Sequence, residues 1–475
     1  MLTRLKVKGF KNLADAEITF GPFTCIAGAN AVGKSNLFDA IMFLRDLANL
    51  PIIEAAAKVR DPLGKSGDIT SLFQQSRLGI SKEIEFDCDL IVPLEVLDDF
   101  GRSCKPSISY LNYKVSFSLE VHDSAEPRIV LSKEELSYIQ KGDASSRLGF
   151  RHTPKFRNSI VTGRRTTPLI SFSDDDQEVI KLHQDGGSSG LPFRVKARNS
   201  PRTVLGGTNT IDQPTVLAAR REMQSWMLLQ LEPSALRNPD EFSADPHLSA
   251  SGEHMPSTLA RLGTDAVVAT DLADLLPDIR SVSVDVDSGR RRRTLNVETR
   301  EGVVYPARAL SDGTLRFLAL ALLRSDNEAG RLICLEEPEN GIHPSRIDAI
   351  LELLQGIAVD AKEPVDEINP LRQVVINTHS PVVVRALPTD CLVIAKAYVS
   401  SSGNFTQFQA LPDTWRTSQT AAYPMQSASL GDLIGYLGEP YRDSSGKTGV
   451  TKRKETVLDF ASKQGVLPFM LDKKQ

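Results

Sequence analysis

A chain of 475 residues with 41% apolar and 24% charged side chains has the material for packed cores in roughly two or three domains. Its 56 basic residues against 60 acidic ones leave a net charge of −4, which excludes a surface devoted as a whole to nucleic acid and leaves only local basic patches for that work. No apolar run approaches the roughly 18 residues of a membrane span, the first residues carry charges where a signal peptide needs an apolar stretch, and the five scattered cysteines have no metal spacing, so a cytoplasmic protein without a membrane role is expected.

The chain opens with strand signals. Leu5 and Val7 alternate with lysines, Ile18 and Phe20 alternate with polar neighbours, and an apolar run, Phe23 to Ala27, follows the Gly21-Pro22 turn. From Lys34 the period changes: Leu37, Ile41, Leu44 and Ala48 fall on one helical face, and Pro51 closes the segment. An antiparallel sheet is predicted next, from Ile84, Phe86 and Cys88, from Tyr113, Val115, Phe117 and Leu119, and from a shorter run, Ile129 to Leu131. Residues 140–215 are rich in Gly, Ser, Thr, Pro and Arg, which predicts short strands and long loops, with Asp174-Asp175-Asp176 at a loop tip. Helices are predicted over Pro214–Leu229, where the spacing of Trp226 and Met227 suits core packing, and around Pro256–Leu276. Strands are predicted at Val282–Val286 and Leu295–Val297.

From Ser311 helix and strand alternate: a helix over Leu315–Leu323, a buried strand over Leu332–Leu335, a helix over Pro344–Ile357, and strands at Val374–Ile376 and Leu392–Ile394. Such alternation indicates a parallel sheet covered by helices. After residue 400 the chain is polar and turn-rich, with one helical stretch, Leu430–Leu437. No internal repeat is seen.

Two segments carry chemistry. Gly28-Ala29-Asn30-Ala31-Val32-Gly33-Lys34-Ser35 fits G-x-x-x-x-G-K-[ST] between an apolar strand and an amphipathic helix, the context that a phosphate-binding loop requires. The glycines let backbone N–H groups face phosphates at the positive end of the helix, Lys34 can reach the β- and γ-phosphates of ATP, and the Ser35 hydroxyl can ligate Mg2+. Leu332-Ile333-Cys334-Leu335 runs into Glu336-Glu337, placing two acids at the carboxyl end of a central strand. Strand alternation points them apart, which assigns Glu336 to the Mg2+ side and Glu337 to polarising the attacking water.

Three further segments carry a family resemblance. Leu310-Ser311-Asp312-Gly313-Thr314 resembles the signature turn of ABC ATPases, Glu337-Pro338-Glu339-Asn340-Gly341-Ile342-His343-Pro344 resembles the acidic-strand and D-loop segment of the RecF, SMC and OLD branch, and Asn377-Thr378-His379-Ser380-Pro381 resembles its switch histidine. The match covers residues 1–50 and 305–395. A looser similarity over residues 84–136 and 213–276 points to bacterial stand-alone AAA family ATPases, some of which act in anti-phage defence.

The resemblance implies a P-loop NTPase of α/β class, with an ABC-type, mostly parallel sheet between helices, an antiparallel β subdomain and an inserted α+β region. The ATPase domain would take residues 1–136 and 300–400, the insertion 137–299, and a tail 401–475. It also implies that Gly28, Asn30, Gly33, Lys34, Ser35 and Asn36 bind ATP, that Glu337, His379 and Lys34 act in catalysis, and that Ser311 and Gly313 of a second copy complete the nucleotide site. Asn340 would lie on the dimer seam, and Gln74 or Gln75 would be the linking glutamine. A head-to-tail homodimer or larger homo-oligomer is implied, its ATP-driven closure switching a partner effector, a nuclease or a toxin, in anti-phage defence; the alternatives are a RecF-like DNA-binding ATPase in DNA repair and a regulatory scaffold with little turnover. Glu336 stands where the family carries an aspartate. The chain after residue 400 shows no D-x-D of a Toprim nuclease, so nuclease work is expected of another chain.

Taken alone, Ser311 also reads as a helix N-cap, His379 as a structural loop histidine, and Arg290–Arg293 as either a solvated hairpin or a phosphate-contacting patch. Arg164-Arg165 and Arg220-Arg221 carry the same two readings.

Overall fold

The computed structural model describes residues 1–59, 68–77, 79–121, 126–173, 178–185, 190–263, 268, 278–400 and 403–429. The chain divides into two units, one formed by residues 1–226, 360–373 and 390–430, the other by 227–359, 374–389 and 431–475.

In the first unit the alternating segments form an eight-stranded sheet. Its order is Phe193–Lys196, Val179–Leu182, Ile170–Ser173, Arg128–Tyr138, Tyr110–Glu120, Glu83–Ile91, Leu2–Phe10 and Leu13–Thr19. Every neighbouring pair is antiparallel. The register sets Val7 opposite Phe86 and Phe86 opposite Val115, so one face of the pleat is apolar. The helix Lys34–Leu47 packs there: Phe43 lies 6.0 Å from the Phe10 ring and 5.7 Å from the rings of both Phe86 and Phe117. The antiparallel sheet is thus the seat of the helix that follows the phosphate loop.

The run predicted at Ile129–Leu131 is an eleven-residue strand, Arg128–Tyr138. A register shift between Leu131 and Lys133 breaks its alternation, which hides the second half from a two-residue period. Within residues 140–215 short strands prolong the sheet, but where long loops are expected the chain also folds the helices Ala144–Leu148 and Pro154–Ile160, the second begun by the Thr153 cap and its proline; the Asp174–Asp176 tip lies outside the described residues.

The other strands of this unit frame the phosphate loop. Phe23–Ala27, wholly buried, pairs in parallel with Leu392–Ser400, setting Cys25 against Leu392 and Ala27 against Ile394. Leu392–Ser400 turns back antiparallel onto Gly403–Ala410, which pairs in parallel with Gln426–Ser427.

The helix predicted over Pro214–Leu229 stops at Gln224, and Trp226–Leu229 is a strand. Four consecutive apolar residues carry no helical period, and the buried Glu222, which accepts from the Trp226 indole at 3.2 Å, ties the turn between the two. Trp226 is core, as expected, but from a strand.

In the second unit Leu332–Glu336 lies between Trp226–Leu229 and Gln373–Thr378 in sheet order. The helices Asp312–Ser325 and Ile347–Ile357 pack on each other, each burying an apolar face. A small antiparallel sheet joins Ile279–Asp287, Arg292–Thr299 and Val304–Pro306. The helix predicted around Pro256–Leu276 is described as Met255–Leu262; the rest of that stretch, and Leu430–Leu437, lie outside the described residues, apart from Gly263 and Val268.

The arginine run divides. Arg293 stacks 5.0 Å over the Phe242 ring, while Arg290 and Arg291 stand exposed in the hairpin turn beside Arg292. Arg165, Arg220 and Arg221 are taken up by carbonyls and carboxylates of their own unit. No helix among the described residues is long and apolar enough to cross a membrane.

Candidate functional site

The phosphate loop leaves a buried strand and enters its helix through Gly33, whose φ of +104° is left-handed. A β-carbon on Gly33 would fall 2.1 Å from Thr406 Oγ1 and 2.4 Å from Asn12 Nδ2; one on Gly28 would fall 2.8 Å from the Ala395 carbonyl oxygen. Both glycines are therefore fixed by the walls around them, and Gly33 by its dihedral angle as well. Those walls are polar. The Val32 carbonyl accepts from Thr406 Oγ1 at 2.5 Å and from Asn12 Nδ2 at 3.4 Å, and Asn36 Nδ2 donates to Asn12 Oδ1 at 2.6 Å.

Lys34, 6% exposed, folds over the loop and donates to the Gly28 and Ala29 carbonyls at 2.5 and 2.9 Å. Asn30 is exposed on the loop, and Ser35 is half-buried in the first helical turn. Residues 28–36 thus form one compact group.

Sequence reasoning missed Asn12 and Thr406. Asn12 sits in the turn between two strands, where Lys11 takes φ +50°, and it could have been suspected from that tight connection. Thr406 is far along the chain, in Gly403–Ala410, and no local pattern marks it. Gln74 and Gln75 lie beside the same turn: the Gln74 N–H donates to the Gly9 carbonyl at 2.8 Å, and Gln75 starts a short strand.

In the second unit the structure brings Glu336, Glu337, Asn340 and His379 together. Glu336 ends its strand and accepts from Asn377 Nδ2 at 3.2 Å. Glu337 lies beyond the strand with a left-handed φ of +45°, so it diverges from Glu336 through this backbone turn, where pleat alternation had been expected to separate them. A non-glycine residue in this region costs on the order of 1 kcal/mol or more and persists only when its surroundings impose it. Here the Glu337 N–H is held by the Asn377 carbonyl at 3.0 Å and the Asn377 side-chain oxygen at 3.2 Å.

The Glu337 carboxylate, 24% exposed, meets His379 Nδ1 at 2.6 Å through one oxygen and accepts from Asn340 Nδ2 at 3.1 Å through the other. A carboxylate with both oxygens oriented is poised to align a third polar group, such as a water. Burial, reinforced by the Glu337 charge, pushes the neighbouring Glu339 carboxyl above the usual range, while its bond from Thr378 pulls the other way.

The Leu310–Thr314 turn belongs to the same unit. Ser311 is the N-cap of Asp312–Ser325: its Oγ accepts from the Thr314 N–H at 3.2 Å, so the N-cap reading holds. Arg237 grips the turn by donating to the Leu310 carbonyl at 3.1 Å and pairing with Asp312. Beside it is a cavity of about 450 Å³ that Gly341, Ile342, His343 and Arg346 also line. A β-carbon on Gly313 would meet the Gly341 carbonyl at 3.5 Å, an ordinary contact, so nothing in its own chain demands glycine there.

The family described as "AAA domain, putative AbiEii toxin, Type IV TA system" matches residues 23–91 and 218–385, which include the phosphate loop, the signature-like turn, the acidic strand and His379. No curated protein matches the chain. Among solved structures the chain is similar to an SMC head bound to the C-winged helix domain of ScpA, at 14% identity over 86% of this chain and 98% of that one, with a TM-score of 0.45. It is also similar to the SMC head domain from Thermotoga maritima, at 12% identity over 86% and 98% of the two chains and a TM-score of 0.38. A Pyrococcus furiosus SMC head with an extended coiled coil, bound to the C-terminal domain of ScpA, gives 12% identity, 86% and 96% coverage and a TM-score of 0.42. The matched segments span the motifs in both units, and it is to that AAA-domain family that the chain is similar.

Proposed function

We propose that the protein is a Mg2+-dependent ATP hydrolase whose bound nucleotide drives head-to-tail pairing of two copies, the pairing acting as a switch for a partner effector. The observation that carries the hydrolase reading is the Glu337 carboxylate, turned out of its strand and oriented on both oxygens by His379 and Asn340. The phosphate loop supports it, because its two glycines leave a cradle that a β-carbon would fill.

In this reading backbone amides of residues 28–36 and the Lys34 ammonium hold the phosphates, and Lys34 leaves the Gly28 and Ala29 carbonyls to do so. Asn30 and Asn36 border the nucleotide. The Ser35 hydroxyl and the Glu336 carboxylate are hard oxygen donors suited to Mg2+, and Glu336 keeps acceptor capacity beyond its bond from Asn377. Mg2+ would supply charge neutralisation on the β- and γ-phosphates. Glu337 aligns the attacking water, and His379 orients Glu337 and reaches the γ-phosphate. Ser311 and Gly313 of the second copy close the site.

The effector reading is drawn from the toxin–antitoxin name of the matching family and from the resemblance to defence ATPases. It is preferred to a DNA-gating role because Arg165, Arg220, Arg221 and Arg293 are engaged within their own units. Phosphate-release and ATP-binding assays on Lys34→Ala and Glu337→Gln test the hydrolase reading. Lys34→Ala should lose nucleotide binding, while Glu337→Gln should bind ATP and lose turnover by roughly 100-fold or more. Wild-type turnover by Glu337→Gln would remove Glu337 from the reaction.

A further inference from the structure

We propose that Glu339 is a positioning residue of the ATPase site, acting through Thr378 to set His379 against Glu337. The inference rests on the hydrolase reading above and adds a residue that touches neither nucleotide nor water.

Glu337 and His379 stand on two separate segments, and their 2.6 Å contact survives only if those segments hold a fixed spacing. Thr378 is wholly buried, and its hydroxyl donates to Glu339 Oε1 at 2.5 Å. The same hydroxyl accepts from the Ser380 N–H at 2.9 Å. Both backbone neighbours of His379 are thereby pinned, one of them to the acidic turn. On that turn the Asn340 N–H donates to the Glu337 carbonyl and the Ile342 N–H to the Glu339 carbonyl, each at 3.0 Å, so Glu339 rides on the same rigid piece as Glu337. The Glu339–Thr378 bond is a strut beside the Glu337–His379 contact.

The other Glu339 oxygen, Oε2, is buried and has no hydrogen-bond partner among the described residues. A buried oxygen of this kind is costly as part of a charge and far less so on a neutral carboxyl. The raised Glu339 pKa agrees with a neutral group, as does a strut that needs one acceptor oxygen and no charge. Catalysis by positioning is sensitive to such struts, since a displacement of about 1 Å at the reacting groups costs roughly 100-fold in rate.

The test is steady-state ATP turnover and ATP binding by the full chain, for wild type, Glu339→Ala, Glu339→Gln, Thr378→Val and the Ala/Val double variant. Glu339→Ala and Thr378→Val should each lower kcat roughly 10- to 100-fold while KM for ATP stays within about twofold. The double variant should be no slower than Thr378→Val alone, because losing the Thr378 hydroxyl already removes the bond to Glu339. Glu339→Gln keeps a neutral acceptor and should stay within about threefold of wild type. Wild-type kcat in Glu339→Ala, additive losses in the double variant, or a Glu339→Gln as slow as Glu339→Ala would each overturn the proposal. Absence of Mg2+-dependent turnover in the wild type would instead defeat the hydrolase reading itself.

Discussion

Gly33 and Gly313 are glycines for different physical reasons. Gly33 is forced by its own chain, through a left-handed φ and a wall made by Thr406 and Asn12. Gly313 has room for a methyl group and sits in the first turn of a helix, where glycine costs up to about 1 kcal/mol relative to alanine. A residue that weakens its own helix without serving local packing suits a surface that something else approaches closely. Gly313→Ala should therefore melt at or above the wild-type temperature yet lose ATP-dependent pairing and most turnover. Thermal denaturation read beside ATP turnover checks this, and a variant that keeps wild-type turnover would leave Gly313 outside the site. Gly33→Ala should disturb the loop itself and abolish nucleotide binding, as an equilibrium titration would register.

Among the elements, the strand Arg128–Tyr138 carries a wholly buried acid that bears on stability. Glu134 accepts the Val204 N–H at 2.6 Å, the Leu205 N–H at 2.9 Å and the Tyr113 hydroxyl at 3.1 Å. It thereby docks the Val204–Gly207 turn, next to Thr203, whose hydroxyl reaches the Leu47 carbonyl at the end of the phosphate-loop helix. Burial pushes its carboxyl up to about 7, against the opposing backbone bonds. The folded state thus favours the protonated acid, and this contribution is present in full below pH 4.5 and is lost as pH rises to about 7. The loss is on the order of 3 kcal/mol. Urea unfolding midpoints should fall from pH 5 to pH 7.5, and Glu134→Gln should flatten that slope; an unchanged slope would show that Glu134 titrates alike folded and unfolded.

The same elements show why the sequence was only partly legible. Motifs that are contiguous in sequence, such as Gly28–Ser35 and Leu332–Glu337, could be read because one short segment holds both the strand and the chemistry. Trp226–Leu229 is a strand that its sequence does not announce, because an apolar run has no period of its own, and the bulge at Leu131 conceals half a strand. The supports of the site were invisible for a different reason. Thr406 lies 374 residues beyond the Val32 carbonyl that it holds, and Thr378 lies 39 beyond Glu339, so only folding brings them together.

For the whole molecule, the assignment places the phosphate loop in one compact unit and the acidic turn, His379 and the signature turn in the other. In the proposed function, the signature turn of one copy completes the nucleotide site of a second copy. The most direct measurement is sedimentation velocity of Glu337→Gln, alone, with ATP and Mg2+, and with ATP and EDTA. The account predicts a shift from monomer to dimer or larger assembly with ATP and Mg2+ only, and no such shift when Gly313→Ala is added. A Glu337→Gln protein that binds ATP and Mg2+ tightly yet sediments the same in all three conditions would contradict nucleotide-driven pairing.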